Sequence, residues 1–402
     1  MSKHKWINVN FGDLLNQRKD FTIIEEGTEY PIYGVMKEGA GLLQKESVTS
    51  ETTKFNKLLR LEKDNFVYRQ ITAYEAPSTV VLDDGAGGYV TPNTFPVFEI
   101  DTDRIMPGYL HLITQWGVFH REMAIRCAGT VLRRKTLSPK RLKEIPLLLP
   151  PVQAQREILA FTQSLDAIIQ AGDREIISAE QMRVDVLKTV LTDRANEWDY
   201  TPLREVATWR SGATPKAGNP EFYHGGTIKW AKIGDVQNAP IYDTETKITE
   251  AGFEKIKKIA PVGSTLIAMY GASIGRSAFV MNEMATNQAI LCGIPDEEVI
   301  VPEFLFLSAL NLEDEFHRQG RGAAQPNINK TIIGDQEIPL PPLEEQEKIV
   351  EKMQALDAYL ESAKRSQEAL KQVRKDALHA LLSGDKDVRE LAEMFAVDEG
   401  VV

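Results

Sequence analysis

The chain contains two copies of one helical segment, 191 residues apart. Pro150-Pro151 opens the first copy and Pro341-Pro342 opens the second. A duplicated segment predicts two-fold quasi-symmetry within one chain, and therefore a target with two half-sites or two copies of one partner. The residues that match at this offset, without a gap, are Gln155 and Gln346, Ile158 and Ile349, Leu165-Asp166-Ala167 and Leu356-Asp357-Ala358, Arg174 and Arg365, Gln181 and Gln372, Arg183 and Arg374, Asp185 and Asp376, Leu187 and Leu378, and Leu191 and Leu382.

Each proline pair is followed by the pattern of a long helix. Apolar residues recur at three- and four-residue steps over residues 151–194 and 342–383, and Gly384 is well placed to end the second helix. At about 1.5 Å per residue, each helix spans roughly 60 Å. A helix of this length with a narrow apolar stripe cannot bury that stripe in a small globule. We therefore predict that the two helices pair as an antiparallel coiled coil with one globule at each end.

The segments before the helices are mixed in pattern, with short β-type runs such as Ser78–Leu82 and Ser264–Tyr270 between turn residues. Trp6 and Trp198 stand 192 residues apart, while the interiors of the two segments share little. The predicted fold class is α+β, with two similar α/β domains separated by two long helices. The predicted parts are a first domain at 1–150, a central helix at 151–196, a second domain at 197–341, a distal helix at 342–386 and an acidic tail at 387–402.

The net charge of −11 argues at first against nucleic-acid binding, but the charge is unevenly distributed. Between Trp116 and Lys143 the basic residues face a single acid, Glu122. Such a local excess of positive charge suits binding to a phosphate backbone. The alternative interpretation is an ordinary solvated surface. The basic residues are Arg121, Arg126, Arg133, Arg134, Lys135, Lys140, Arg141 and Lys143.

The two cysteines, Cys127 and Cys292, cannot build a disulfide framework, and the six histidines show no metal-ligand spacing. No apolar run is long enough to cross a bilayer, and no secretory leader precedes the first domain. These features predict a cytoplasmic protein that needs no membrane, no metal and no cofactor of its own.

Several motifs in register resemble the specificity subunits of type I restriction-modification systems. Ile338–Val350 (IPLPPLEEQEKIV) and Ile145–Ile158 resemble the start of that family's conserved helices. Gly322–Lys330 resembles the segment that closes a target recognition domain, and Gly212–Pro215 followed by Ile228–Asp235 resembles the opening of one. The resemblance covers the whole chain in the order domain, helix, domain, helix.

The resemblance implies a non-catalytic DNA-recognition subunit. Each domain would read one half of a bipartite, asymmetric site in double-stranded DNA, and the helix pair would set the spacer. Two adenine methyltransferase subunits would dock on the helices, and restriction subunits with motor activity would complete the complex. That complex would perform N6-adenine methylation and ATP-dependent cleavage, so S-adenosylmethionine, ATP and Mg would belong to the partner subunits.

Arginine suits guanine edges, asparagine and glutamine suit adenine edges, and lysine suits phosphates, which selects the candidate DNA contacts. The candidate residues of the second domain could equally belong to an ordinary polar loop or to a sheet edge. In the first domain no base is assigned to any residue. The candidates are Arg69, Arg121, Arg126, Arg133, Arg134 and Lys135 in the first domain, and Lys229, Lys232, Tyr270, Arg276, Arg318, Arg321, Gln325, Asn329 and Lys330 in the second.

The helices carry polar residues at equivalent positions, and we expect these to form two equivalent docking sites for the methyltransferase subunits. Internal polar contacts between the paired helices are the alternative. The residues are Gln155, Arg183, Asp185, Gln346, Arg374 and Asp376.

Two alternative functions, a serine hydrolase and a coiled-coil adaptor, can be compared with the sequence. Gly271–Gly275 fits the G-x-S-x-G pattern of a serine hydrolase, but Arg276–Met281 has a strand-type pattern where the nucleophile elbow needs a helix, so a hairpin is predicted. A coiled-coil adaptor without DNA contact is the third class, and the arginine-rich closing segments argue against it.

Overall fold

The structure is a computed structural model that describes residues 6–83, 85–192, 198–320 and 327–398. The chain forms two compact units. Unit 1 contains Met1–Asp173 and Ser366–Val402, and unit 2 contains Arg174–Arg365. Each unit therefore holds one mixed domain together with part of each long helix. The mixture of helices and sheets agrees with the predicted α+β class.

Unit 1 is built on a four-stranded antiparallel sheet in the order β2-β10-β7-β8. A separate pair, β1 with β11, joins the two ends of the domain in antiparallel register. The strands of unit 1 are β1 Ile7–Asn10, β2 Leu15–Gln17, β3 Phe21–Ile23, β4 Tyr33–Val35, β5 Leu42–Gln44, β6 Lys57–Arg60, β7 Asn65–Tyr68, β8 Ser78–Val80, β9 Tyr89–Val90, β10 Val97–Ile100 and β11 Pro146–Leu149. Its short helices are α1 Pro107–Thr114, α2 Gly117–Ile125 and α3 Pro139–Lys143.

Unit 2 repeats this plan with a sheet in the order β13-β21-β18-β19-β15, and the pair β12 with β22 joins its domain ends. A second sheet has the order β16-β14-β20-β17. The strands are β12 Tyr200–Pro202, β13 Ala207–Ser211, β14 Ile228–Ala231, β15 Ala239–Ile241, β16 Lys247–Ile248, β17 Ile259–Ala260, β18 Thr265–Ala268, β19 Ser277–Val280, β20 Met284–Thr286, β21 Ile290–Pro295 and β22 Glu337–Pro339. The short helices are α5 Leu203–Val206, α6 Pro220–Tyr223, α7 Glu250–Ile256, α8 Pro302–Asn311, α9 Glu313–Gly320 and α10 Lys330–Gly334.

The two long helices are α4, Val152–Thr192, and α11, Leu343–Leu382, and their ends lie within two residues of the helical patterns at 151–194 and 342–383. Gly384 has a φ of 68°, the left-handed conformation that ends a helix and that glycine adopts without strain. Both helices begin directly after a proline pair, because proline supplies a carbonyl but no N–H to the first turn.

The helices run antiparallel within each unit. In unit 1, Asp166 and Asp173 on α4 pair with Arg374 and Lys371 on α11, so one sequence number rises as the other falls. In unit 2, Arg183 pairs with Asp357 in the same sense. The predicted antiparallel pairing of the two helices is therefore confirmed.

Each domain packs on the helix segments of its own unit. In unit 1 the core includes Ile158 and Leu165 from α4 and Leu378 and Leu381 from α11. In unit 2 the helix residues that enter the core are Leu187, Leu191, Ile349, Val350 and Met353. The apolar stripe of each helix is thus shared between the partner helix and the domain.

The segment predicted as an acidic tail contains a helix, α12, at Val388–Asp398. Its residue Leu391 is buried in the core of unit 1, and Val388 packs against the same core. The acidic composition is real, but the apolar pair at a three-residue spacing gives this segment one face to bury.

Candidate nucleic-acid interface

The candidate interface of unit 1 combines a hairpin tip with a second segment that precedes a short helix. The tip joins β7 to β8. The backbone N–H of Leu137 donates to the carbonyl of Gln70 at 3.0 Å, and Ile71 forms an antiparallel bridge with Thr136. These contacts bring together two candidate sets that are distant in sequence, the segment at Arg69 and the basic cluster.

Unit 2 has the same arrangement. The tip joins β18 to β19, the N–H of Ile328 donates to the carbonyl of Met269 at 3.0 Å, and Tyr270 bridges Asn327. Tyr270 thus takes the place of Ile71, and the two side chains are similarly exposed, at 45% and 42%. One backbone framework therefore presents different side chains in the two units.

The helix that follows each second segment is capped at the same relative position. The Ser138 hydroxyl accepts from the N–H of Arg141 at 3.4 Å, and Asn329 Oδ1 accepts from the N–H of Ile332 at 2.9 Å. Ser138 and Asn329 are 191 residues apart. Because the Asn329 Oδ1 serves as the cap, the NH₂ group is the part of this side chain that the cap does not use. Lys330 follows at the first position of α10 and is exposed.

The six basic candidates of unit 1 differ in their surroundings. The Arg126 guanidinium contacts the Glu122 carboxylate, and Arg69 Nη2 lies 3.1 Å from Glu75 Oε2, so both charges are partly neutralised. Lys135 is half-buried beside the hairpin, where its carbonyl accepts from Thr72. Three candidates are exposed and make none of the ion pairs in the described part of the chain, namely Arg121, Arg133 and Arg134.

Burial also controls the chemistry beneath this surface. Cys127 lies near Lys135 and Arg141, but desolvation raises the pKa of its thiol above the ordinary value, and the two positive charges only oppose that rise. The thiol therefore stays protonated near neutral pH, and the basic cluster does not activate it as a nucleophile.

In unit 2, backbone hydrogen bonds join separate segments of the chain near Tyr270. The N–H of Asn287 donates to the carbonyl of Ala231 at 2.9 Å, and the N–H of Met269 donates to that of Ala289 at 2.9 Å. Gln288 lies between these two contacts and is exposed. The sequence interpretation missed Gln288, because no local pattern marks a single glutamine after a short strand.

Lys232 and Arg276 lie beside a turn at Ile233–Asp235. Arg276 Nη1 donates to Gln237 Oε1 at 3.0 Å, and Gln237 in turn donates to the carbonyl of Gly234 at 2.6 Å. The backbone N–H of Lys232 donates to Asp235 Oδ2 at 2.8 Å. Gln237 was also missed from the sequence, since only the fold brings it to Arg276.

Two other candidates have different neighbours. Lys229 pairs across the strands with Lys247, next to Asp243. The pKa of Asp243 is lowered by the backbone N–H of Thr244 and by Lys247. Arg318 forms an ion pair with Glu315 and faces a cavity that is also lined by Asp314, Asp335 and Glu337. Arg321 and Gln325 lie outside the described residues.

The G-x-S-x-G segment does not form a nucleophile elbow. Gly271–Ser273 is a short turn between β18 and β19, which pair as antiparallel neighbours. The predicted hairpin is confirmed, so Ser273 does not stand between a strand and a helix as the hydrolase interpretation needs.

Residues 195–372 match the family model of the type I restriction modification DNA specificity domain. The resemblance to type I specificity subunits is confirmed. The specificity subunit of the type I restriction enzyme MjaIX from Methanocaldococcus jannaschii is 28% identical over 182 residues, which cover 44% of this chain and 42% of that protein. The chain thus matches less than half the length of that relative.

Two solved structures share the fold of this chain. One belongs to a study of complex assembly and conformational transition in a type I R-M system, with a TM-score of 0.70 and 16% identity, covering 95% of this chain and 98% of the other. The HsdS subunit from Thermoanaerobacter tengcongensis gives a TM-score of 0.53 and 17% identity, covering 95% of this chain and 97% of that subunit. None of the helices in the described residues is long and apolar enough to cross a membrane.

Gln155 connects α4 to its domain in unit 1. Its side chain is fully buried, Oε1 accepts from the N–H of Met106 at 2.9 Å, and Nε2 donates to the carbonyls of Arg104 and Pro150, both at 2.9 Å. Every one of these partners is backbone. The amide therefore fixes the domain to the first turn of the helix.

Gln346 makes the same contacts in unit 2. Oε1 accepts from the N–H of Val301 at 2.8 Å, and Nε2 donates to the carbonyls of Val299 at 3.2 Å and Pro341 at 2.8 Å. The duplicated glutamines thus face the interior of their own units, where they bind backbone groups of the domain and make none of these bonds to the paired helix. A docked partner cannot touch either side chain while it stays buried.

The duplicated arginines also have internal contacts. Arg183 binds Asp357 with two nitrogens in unit 2, and Arg374 binds Asp166 in the same way in unit 1. Arg374 also donates to Gln115 Oε1 at 2.9 Å. These contacts match the alternative of polar contacts between the helices, and docking through the arginines stays a prediction.

Asp185 and Asp376 remain the exposed members of the docking prediction. Gln181 donates to Asp185 Oδ1 at 3.0 Å, and Gln372 donates to Asp376 Oδ1 at 2.9 Å. The same exposed pair therefore occurs once in each unit.

Proposed function

We propose that this chain is the DNA-recognition subunit of a type I restriction-modification complex, with each domain reading one half of a bipartite, asymmetric site. The observation that carries the proposal is the repeated interface framework, a hairpin tip beside a segment that enters a capped helix. Its side chains differ between the units, with Ile71 and the exposed Arg133-Arg134 in one and Tyr270, Asn327 and Asn329 in the other. Two domains of one fold with different surfaces suit two different half-sites.

In this proposal the antiparallel helix pair sets the spacer between the half-sites and docks two adenine methyltransferase subunits. The repeated exposed pairs at Asp185 and Asp376 support two equivalent docking positions. Restriction subunits with motor activity complete the complex. The partner subunits, and not this chain, bind S-adenosylmethionine, ATP and Mg. The recognition subunit itself contributes geometry, because a methyltransferase that flips a base needs the duplex held on both sides.

Methylome sequencing tests the proposal. A host that carries this chain with its methyltransferase partner should show N6-methyladenine in a two-part motif that is absent from a host with the partner alone. Replacing Arg133 and Arg134 should weaken methylation of the whole motif, whereas Asn327→Ala should relax bases in one half only. A methylome without any two-part motif contradicts the proposal.

A gel shift of the assembled complex separates this function from that of an adaptor that never touches DNA. The complex should bind a duplex that contains the motif more tightly than a scrambled duplex, and the isolated chain should bind both weakly. Equal specific affinity of the isolated chain contradicts the expected role of the methyltransferase subunits in closing around the duplex.

A further inference from the structure

The ion pairs between α4 and α11 are of two kinds. In the first kind, Arg183 pairs with Asp357 and Arg374 pairs with Asp166. The 191-residue offset converts each of these pairs into the other, arginine into arginine and aspartate into aspartate. Such pairs form equally well between two copies of α4 or two copies of α11, so they do not select one helix as the partner of the other.

The second kind is not symmetric. Lys371 Nζ lies 3.0 Å from Asp173 Oδ1 in unit 1, and Lys364 Nζ lies 2.6 Å from Glu180 Oε1 in unit 2. The 191-residue offset places Lys364 at the position of Asp173 and Lys371 at the position of Glu180. Both acids are therefore on α4 and both bases are on α11.

Pairing of like helices would bring like charges together. Two copies of α4 in the observed register would place Asp173 opposite Glu180, twice by symmetry. Two copies of α11 would place Lys364 opposite Lys371, also twice. Opposed like charges on paired helices select partners by repulsion, as charged flanking positions do in coiled coils.

A buried amide adds a second selective contact. Gln367 is only 6% exposed, and its Nε2 donates to the carbonyl of Ile169 and, at 2.9 Å, to Asp173 Oδ1. Gly172 leaves room for this amide, because a Cβ there would lie 2.4 Å from Gln367 Oε1. In a pair of α11 helices, Ala363 and Lys364 would replace Gly172 and Asp173. The amide would then meet a methyl group and a cation that accepts no hydrogen bond.

We propose that Asp173, Glu180, Lys364 and Lys371 make α4 pair with α11 and prevent like helices of two copies of this chain from pairing. The partner that these charges exclude is a second copy of the chain. If the proposed function holds, the device keeps two unlike recognition domains in every assembly, and so keeps the target asymmetric. The exclusion itself does not depend on DNA binding.

The test exchanges the charges of one ion pair in the full-length chain, with Glu180→Lys combined with Lys364→Glu. Both interhelix ion pairs survive in this variant, but each helix now carries one acid and one base. Like helices can then form two attractive pairs instead of two repulsive ones. The variant and the unchanged chain are unfolded, refolded at the same concentration in low salt, and compared by size-exclusion chromatography with light scattering.

At about a twofold effect for each exposed contact, we expect the dimer share to rise roughly tenfold in the exchanged variant, with the difference shrinking in 1 M salt. The quadruple variant, which adds Asp173→Lys and Lys371→Asp, places both bases on α4 and both acids on α11. Its dimer share should return to that of the unchanged chain. A rise that persists in the quadruple variant would show that the placement of these four charges does not select the partner helix, and would overturn the proposal.

The proposal is also overturned if the exchanged variant stays as monomeric as the unchanged chain. If that variant fails to refold, Asp173→Lys with Lys371→Asp provides the same exchange at the other ion pair and should give the same rise. Because the measurement contains no DNA, its failure would leave the proposed DNA-recognition function untouched, and a failed methylome test would leave this inference untouched.

Discussion

The two units share one framework of strands and helix contacts but carry different side chains at the candidate interface. Each has an antiparallel strand pair at the domain ends, a sheet with the shared order β2-β10-β7-β8 or β13-β21-β18-β19, and a buried glutamine at the start of its long helix. Unit 1 has Ile71 at the hairpin tip and exposed arginines in the segment beside it, whereas unit 2 has Tyr270 at the tip and amide side chains beside it. Packing and backbone hydrogen bonds constrain the shared parts, whereas an exposed tip is free to change its chemistry.

The largest effect is expected from the buried glutamines, which test whether the units are equivalent inside. Gln346→Leu would leave the N–H of Val301 and the carbonyls of Val299 and Pro341 without their partner. We expect a loss of about 3 kcal/mol in the free energy of unfolding, and a similar loss for Gln155→Leu. Chemical denaturation measures both.

The exposed Gln372→Leu is the control and should change the stability by less than about 0.5 kcal/mol. A large loss for only one of the two buried glutamines would show that the units are not equivalent at the helix start.

The second prediction concerns the surfaces that differ. Replacing Arg133 and Arg134 by alanine removes two exposed charges, so we expect the salt dependence of DNA binding by the complex to fall by about two in the log–log slope. Binding to different sequences should weaken uniformly. Titrations of specific and scrambled duplexes at several salt concentrations measure this.

Asn327→Ala is the contrasting variant in unit 2. It should leave the salt slope unchanged and reduce discrimination between duplexes that differ in one half-site. If both variants change the slope equally, the two surfaces do not differ in the way that their side chains suggest.

A smaller effect is expected at the duplicated arginines. Arg374 and Arg183 bind equivalent aspartates, but Arg374 also donates to Gln115. The carboxylate partners are 36% and 48% exposed, so solvent screens both pairs. We expect Arg374→Ala to lower stability by about 1 kcal/mol and Arg183→Ala by about half of that. Thermal unfolding of the single variants, with Gln115→Ala as control, checks the difference, and equal losses would exclude a role for Gln115.

The last prediction is a pH dependence of stability that arises from His111 in unit 1. Burial lowers the pKa of His111, and the charge of Arg374 adds to this shift. Folding thus favours the neutral form of His111. The contribution of this residue to the free energy of unfolding is therefore complete above the unfolded pKa of about 6.5, and it is lost as the pH falls below that value. The slope is at most about 1.4 kcal/mol per pH unit.

Phe306 stands at the corresponding position of α8, so unit 2 has no such group there. Unfolding measured between pH 7.5 and 5.5 should show a shallower decline for His111→Gln than for the unchanged chain. An unchanged decline would assign the pH dependence to other groups.

The architecture was largely predictable, because periodicity and duplication are properties of the sequence itself. The long helices end within two residues of the apolar patterns that predicted them, and the strand-type pattern after Ser273 predicted the hairpin. The interface was less predictable. Backbone contacts between distant segments bring Gln288 to the candidate surface, and a side-chain hydrogen bond from Arg276 reaches Gln237, while nothing near either residue in the sequence marks it.

Sequence alone also determined that Gln155, Arg183 and Asp185 each have an identical counterpart 191 residues away. Only the tertiary structure decided which way those residues face. Gln155 and Gln346 point into their domains, Arg183 and Arg374 bind the opposite helix, and Asp185 and Asp376 stay exposed. The physical reason is that polar side chains on a helix satisfy their hydrogen bonds with whatever packs beside them, and the identity of that neighbour is a property of the fold.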